Sequence, residues 1–157
     1  MVLPDHWRFA VARTARVVLV MLVSATLLAM LSGCAEKGPV FVDAGTAYNK
    51  TNALVVLEQA DASAVAARPT AEGTKLRHTA LSALRRQGAT ASNVADLLTR
   101  TFPSDTTGVP IYVERVTYDG KPAVLVVEAT GPESGSLNAK RLWIVGETGD
   151  ILFAGSR

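Results

Sequence analysis

Chemistry in this chain of 157 residues would have to start from one cysteine, two histidines and a scatter of carboxylates. The cysteine, Cys34, follows Leu31-Ser32-Gly33. A cysteine is nucleophilic as its thiolate, and the two small residues before it leave the backbone open to a processing enzyme. His78 has the chemistry of a general base, but no Gly-x-Ser-x-Gly elbow or comparable nucleophile motif accompanies it, so a solvated surface histidine is expected. Glu114, Glu128, Glu133, Glu147 and Asp150 would in principle supply the carboxylate pair of glycoside hydrolysis. Nothing in their spacing brings two together, and solvated acids at strand ends are the expected reading. Glu147-Thr148-Gly149-Asp150 lacks the aspartate spacing of a calcium loop and reads as a tight turn. With one cysteine and one histidine beyond residue 33, no Cys/His metal cluster can be assembled. No catalytic set, cofactor or metal site is expected.

The residues around Cys34 decide what its sulfur does. Arg8, Arg13 and Arg16 stand against a single acid, Asp5, and precede an apolar run from Val17 to Leu31 broken only by Ser24 and Thr26. That is a basic region, an apolar region and a small-residue cleavage site, the layout of a secretory signal. A membrane-spanning helix competes, but about 15 residues at about 1.5 Å each reach only about 22 Å, short of a hydrocarbon core of about 30 Å. Leu31-Ser32-Gly33-Cys34 resembles the bacterial lipobox. That resemblance implies diacylglyceryl transfer to the Cys34 sulfur, cleavage before Cys34 by signal peptidase II, and a membrane partner held through the lipid. The n-region has no adjacent arginine pair, so the general secretory route is expected. The location implied is the outer face of the plasma membrane or, in a Gram-negative cell, the periplasm or outer membrane, with Ala35 in place of aspartate compatible with onward sorting.

Removing residues 1–33 changes the charge reading. The chain has 16 basic and 14 acidic residues; the leader takes three and one, leaving 13 of each. The basic balance belongs to the leader, which gives no support for nucleic-acid binding. Processing leaves 157 less 33, or 124 residues, enough for one domain. The only cysteine is acylated in this reading, so the fold rests on packing without a disulfide.

Three segments are therefore expected: a signal peptide over 1–33, a lipidated flexible tether over 34–45 with Gly38 and Pro39 as breakers, and a single domain over 46–157. Helical spacing runs from Thr46 to about Ala67, ending before Pro69. A second helix is expected from Thr70, as cap, to Gln87, stopped at Gly88, with Arg85 and Arg86 complementing its dipole or touching anionic headgroups. A third starts near Thr90 or Ser92 and carries Val94, Leu97, Leu98, Thr101 and Phe102, ending at Pro103. Ile111 to Tyr118 and Ala123 to Ala129 read as strands joined at Asp119-Gly120, the strongest hairpin signal in the chain. Arg141 to Val145 and Ile151 to Ala154 form a second pair. The fold class expected is α+β: N-terminal helices, then a four-stranded antiparallel β-meander packed on helix.

If the last hairpin closes symmetrically, Ile144 opposes Phe153 on one face, while Val145 opposes Leu152 beside Trp143 on the other. Both faces are apolar, so both must be covered. The Thr46 to Ala67 helix is one cover; a ligand or partner protein over Trp143, Val145, Leu152 and Tyr112 is the other. The helix-then-meander order, with Asp119-Gly120 in one hairpin and Thr148-Gly149-Asp150-Ile151-Leu152 in the last, is similar to PepSY-type modules of exported bacterial proteins, and equally suits a cystatin-like or nuclear-transport-factor-like sheet. The functional expectation is a non-enzymatic, lipid-anchored envelope protein that binds a partner protein or a small apolar ligand. The alternative is a cell-envelope hydrolase or, as the resemblance implies, a peptidase-regulating module.

Overall fold

The computed structural model describes residues 38–157, so Leu31, Ser32, Gly33 and Cys34, with the signal peptide, lie outside the described residues. Two antiparallel hairpins form the centre of the sheet. β2 (Val109–Tyr118) and β3 (Lys121–Thr130) turn through Asp119-Gly120, both at positive φ (47° and 79°) as a two-residue type I′ turn requires. β4 (Ala139–Gly146) and β5 (Ile151–Ser156) turn through Glu147–Asp150. The α+β class holds, but the sheet has five strands in the order β1-β2-β3-β4-β5, and the first is parallel to its neighbour.

That first strand, β1 (Val40–Tyr48), occupies the second half of the segment expected to be a flexible tether. Val40-Phe41-Val42 has the branched and aromatic residues of a strand, yet the run is only three residues before Asp43-Ala44-Gly45. Those three form a register shift, with Gly45 at φ +64°, and pairing with β2 resumes at Thr46. The pairing is non-local and parallel, which needs a long crossover, here supplied by all of the helices.

Helix α1 (Lys50–Gln59) is shorter than the expected Thr46 to Ala67 element. Asn49 caps it, accepting from the Thr51 and Asn52 amides at 2.9 and 3.1 Å, while Asn52 Oδ1 accepts from the Asn49 amide at 2.6 Å. It stops because Asp61 offers its carboxylate to the Ser63 amide at 2.8 Å, a local alternative to helix. Thr70 does not cap the next helix: it opens a 3-10 turn (Thr70–Glu72), and its buried hydroxyl has no partner among the described residues. α2 (Gly73–Arg85) follows, then Gly88 at φ +116° and α3 (Ala89–Thr101). Gly73 lies so close to the 103–108 segment that an added Cβ would meet the Thr107 carbonyl oxygen at 2.2 Å.

The helices divide between the two faces of the sheet. α2 and α3 bury Leu81, Leu84, Val94 and Leu98 against Val113, Val124, Val126 and Val145. α1 buries Ala53 and Leu57 against Val116, Leu125, Leu142 and Ile144 on the opposite face. Leu84, Leu98, Leu125 and Ile144 are all fully buried, positions where truncation to alanine costs about 2–5 kcal/mol. Among the described residues no helix is long and apolar enough to cross a membrane.

Candidate functional site

The four residues expected to share a binding face are split by this arrangement. Trp143 and Val145 point to the face that α2 and α3 cover, whereas Tyr112 and Leu152 pack with the α1 face. Leu152 changes face because the last hairpin does not close symmetrically: Ile144 pairs with Phe153 as expected, but Val145 pairs with Ile151. One extra residue in a strand reverses the side to which its neighbours point. The sheet therefore offers no open apolar platform made of these four side chains.

What the covered faces hold instead are two buried carboxylates. Glu114 and Glu128, expected to be solvated acids at strand ends, are each 2% exposed. Both sit in largely apolar strand stretches, Tyr-Val-Glu-Arg-Val and Val-Val-Glu-Ala, where alternation turns each of the two acids onto a covered face. Expected to be solvated with them, Glu133, Glu147 and Asp150 are exposed, and the Asp150 carboxylate accepts from Thr148 Oγ1 at 2.8 Å within the turn.

Glu128 is answered by a cation. Arg77 stands on α2 four residues before Leu81 and seven before Leu84, so it occupies the buried stripe of that helix, 5% exposed. Its Nη1 forms an ion pair with Glu128 Oε1 and also donates to the Gly108 carbonyl at 2.9 Å. Trp143 Nε1 donates to the other carboxylate oxygen at 2.9 Å. The Arg77 guanidinium carbon lies 5.2 Å from the centre of the Phe102 ring, which is tilted against Trp143 at 5.4 Å. Gly108 is required here: a Cβ would come within 2.6 Å of Glu128 Oε2. The cluster joins α2, the end of α3, the loop into β2, and strands β3 and β4. Both Glu128 oxygens are engaged, so the arrangement clamps these elements together.

On the other face Glu114 is answered by hydroxyls. Thr46 Oγ1 donates to Oε1 at 2.7 Å, and Tyr48 and Tyr112 donate to Oε2 at 3.0 and 2.9 Å. Burial, reinforced by hydrogen bonding and by the charge of Glu114, pushes the Tyr48 phenol up to about 12 and raises Tyr112 further for the same reasons. The cluster ties β1 to β2 beyond the register shift.

An open groove of about 770 Å³ flanks α2 beside the Arg77 cluster. Lys75, His78 and Arg85 line it with Leu81, Phe102 and Ser104, and no carboxylate side chain does. His78 is exposed, as expected. Arg85 is held by Asp96 and Thr99, each at 2.9 Å. A second, apolar cleft of about 210 Å³ lies on the other flank of α2, between Val40, Val65, Leu76, Ala80 and Ile111. Among the described residues no group of three or more His, Cys, Asp or Glu side chains stands close enough together to hold a metal.

The signal for the buried pair was an acid inside an apolar strand together with an arginine at helical spacing from two core leucines; neither is visible as a pair until the helix docks. Compared with protein-family models, with curated proteins and with solved structures, the chain finds no match.

Proposed function

We propose that the chain is a lipid-anchored, extracytoplasmic binding module, held to a membrane through acylated Cys34 and binding its ligand or partner in the clefts that flank α2. The sequence Leu31-Ser32-Gly33-Cys34 at the end of the apolar run carries this reading. The anchor in this reading is strong: each buried CH₂ contributes about 0.8 kcal/mol, and two or three acyl chains hold a protein where one myristoyl chain does so only marginally. The described domain supports a binding role in that its sheet faces are filled and an open cleft lies on either side of one helix.

Expression of the full chain with radiolabelled palmitate tests the reading. The wild-type protein incorporates label and runs as the shortened mature form, whereas Cys34→Ala accumulates as an uncleaved, unlabelled precursor. Label retained by Cys34→Ala would refute the assignment.

A further inference from the structure

Charge is one-sided in the larger groove, although the chain beyond residue 33 is balanced. Lys75 and His78 stand at its rim, in no ion pair among the described residues, and no acidic side chain lines it. Its apolar surface is Leu81 and Phe102. Arg77 also lines it, and while Nη1 is engaged by Glu128 and Gly108, the buried Nη2 has no acceptor among the described residues. A buried donor left open is uncommon in a folded domain and has the capacity to take an acceptor brought from outside. Phe102, half-buried, lies over the guanidinium and lines the same groove.

With Lys75 in the lining and no acid there, an anionic acceptor is the one that complements the groove's charge, and the chain's own attachment says where it comes from. Gly38 packs against α2, close enough that an added Cβ would meet the Ala83 Cβ at 2.5 Å. From Cys34 to Gly38 is four residues, a span of at most about 14 Å when fully extended. On the lipid-anchor reading, on which this inference rests, α2 is kept at the level of the headgroups. We propose that the groove along α2 binds the phosphate of an anionic phospholipid headgroup in the membrane that holds Cys34. Lys75 and His78 meet the phosphate oxygens, Arg77 Nη2 supplies the inner donor, and Leu81 and Phe102 pack on the glycerol and first methylenes. Basic side chains near such a surface attract it electrostatically, and a groove adds position to that attraction.

Acylated full-length mature protein in phosphatidylcholine vesicles, with and without phosphatidylglycerol, provides the test. Amine acetylation is read at Lys75 by mass spectrometry, with exposed Lys121 at the β2–β3 turn as reference. The expected result is several-fold lower labelling of Lys75 when phosphatidylglycerol is present, Lys121 unchanged, and loss of the protection in His78→Glu. Equal labelling of Lys75 in both vesicles overturns the proposal, and so does parallel protection of Lys121, which would mean general adsorption. Inorganic phosphate protecting Lys75 equally well in phosphatidylcholine vesicles overturns the lipid source. A protein mass without acyl chains would overturn the anchor alone; soluble dihexanoyl phosphatidylglycerol then reads the groove separately, protecting Lys75 if the groove assignment stands and leaving it unprotected if it fails.

Discussion

Glu128 and Glu114 lie in adjacent strands, Glu128 three residues beyond Leu125, the cross-strand partner of Glu114, and face opposite sides of the sheet. Each is 2% exposed, yet one is met by a guanidinium and the other by three hydroxyls. The difference follows from what covers each face. α2 and α3 pack over Glu128 as rigid helices and bring Arg77 down on a core stripe, so a full opposite charge can be delivered to a desolvated site. Glu114 lies in β2 beside the edge strand β1; Thr46 and Tyr48 of β1 reach it from the neighbouring strand and Tyr112 reaches it from two residues along its own. A buried ion pair depends on both partners staying in place, because removal of either strands a charge. A carboxylate answered by neutral hydroxyls strands no charge when it is neutralised.

That contrast predicts its largest effect at Arg77. Arg77→Leu leaves Glu128 buried with only the Trp143 donor, and is expected to cost about 3–5 kcal/mol in urea denaturation. Arg77→Leu with Glu128→Gln should recover most of the loss, since the carboxamide still accepts from Trp143 and no charge is left. A single variant as mild as the double would mean that the pair does not clamp the helices to the sheet.

The next effect is smaller and tests the other side. Glu114→Gln keeps an acceptor for Tyr48 or Thr46 and leaves no cation behind, so a loss of about 1 kcal/mol is expected. Losses of the same size for Glu114→Gln and Glu128→Gln would erase the distinction drawn here between charge and hydroxyl partners.

The smallest effect is in alkaline solution. The folded Tyr48 phenol, at about 12, lies above its ordinary value of 10.0, mainly through burial and then through Glu114. Its contribution to stability is whole below pH 10 and is lost as pH rises from about 10 to about 12. Tyrosinate absorbance of the folded protein should therefore lag that of the unfolded chain, and Glu114→Gln should shift the curve part of the way back. Coincident folded and unfolded titrations would contradict the hydroxyl cluster.

How much of this was legible depended on whether the signal was local. Asp119-Gly120 names its turn by itself, and the stripes around Leu81, Leu84, Leu97 and Leu98 identify two helices. β1 was not legible: Val40-Phe41-Val42 is too short, Gly45 breaks it, and its partner is 72 residues away, Val40 opposite Tyr112. Leu152 lies on the face opposite to the one its alternation predicts, because a single register shift reverses parity and leaves no trace in the sequence. The candidate site was the least legible part. Lys75 and His78 look like ordinary solvated residues, and only docking of α2 on the sheet sets them beside Phe102 and the unpartnered nitrogen of Arg77.

Everything assigned to the groove's setting depends on the state of Cys34, and the mass of the protein purified from its own membrane reads that state directly. The account predicts a mature chain whose first residue is Cys34, carrying the added mass of a diacylglyceryl group on its N-terminal peptide. An unmodified Cys34, or a chain still carrying residues before it, would contradict the account.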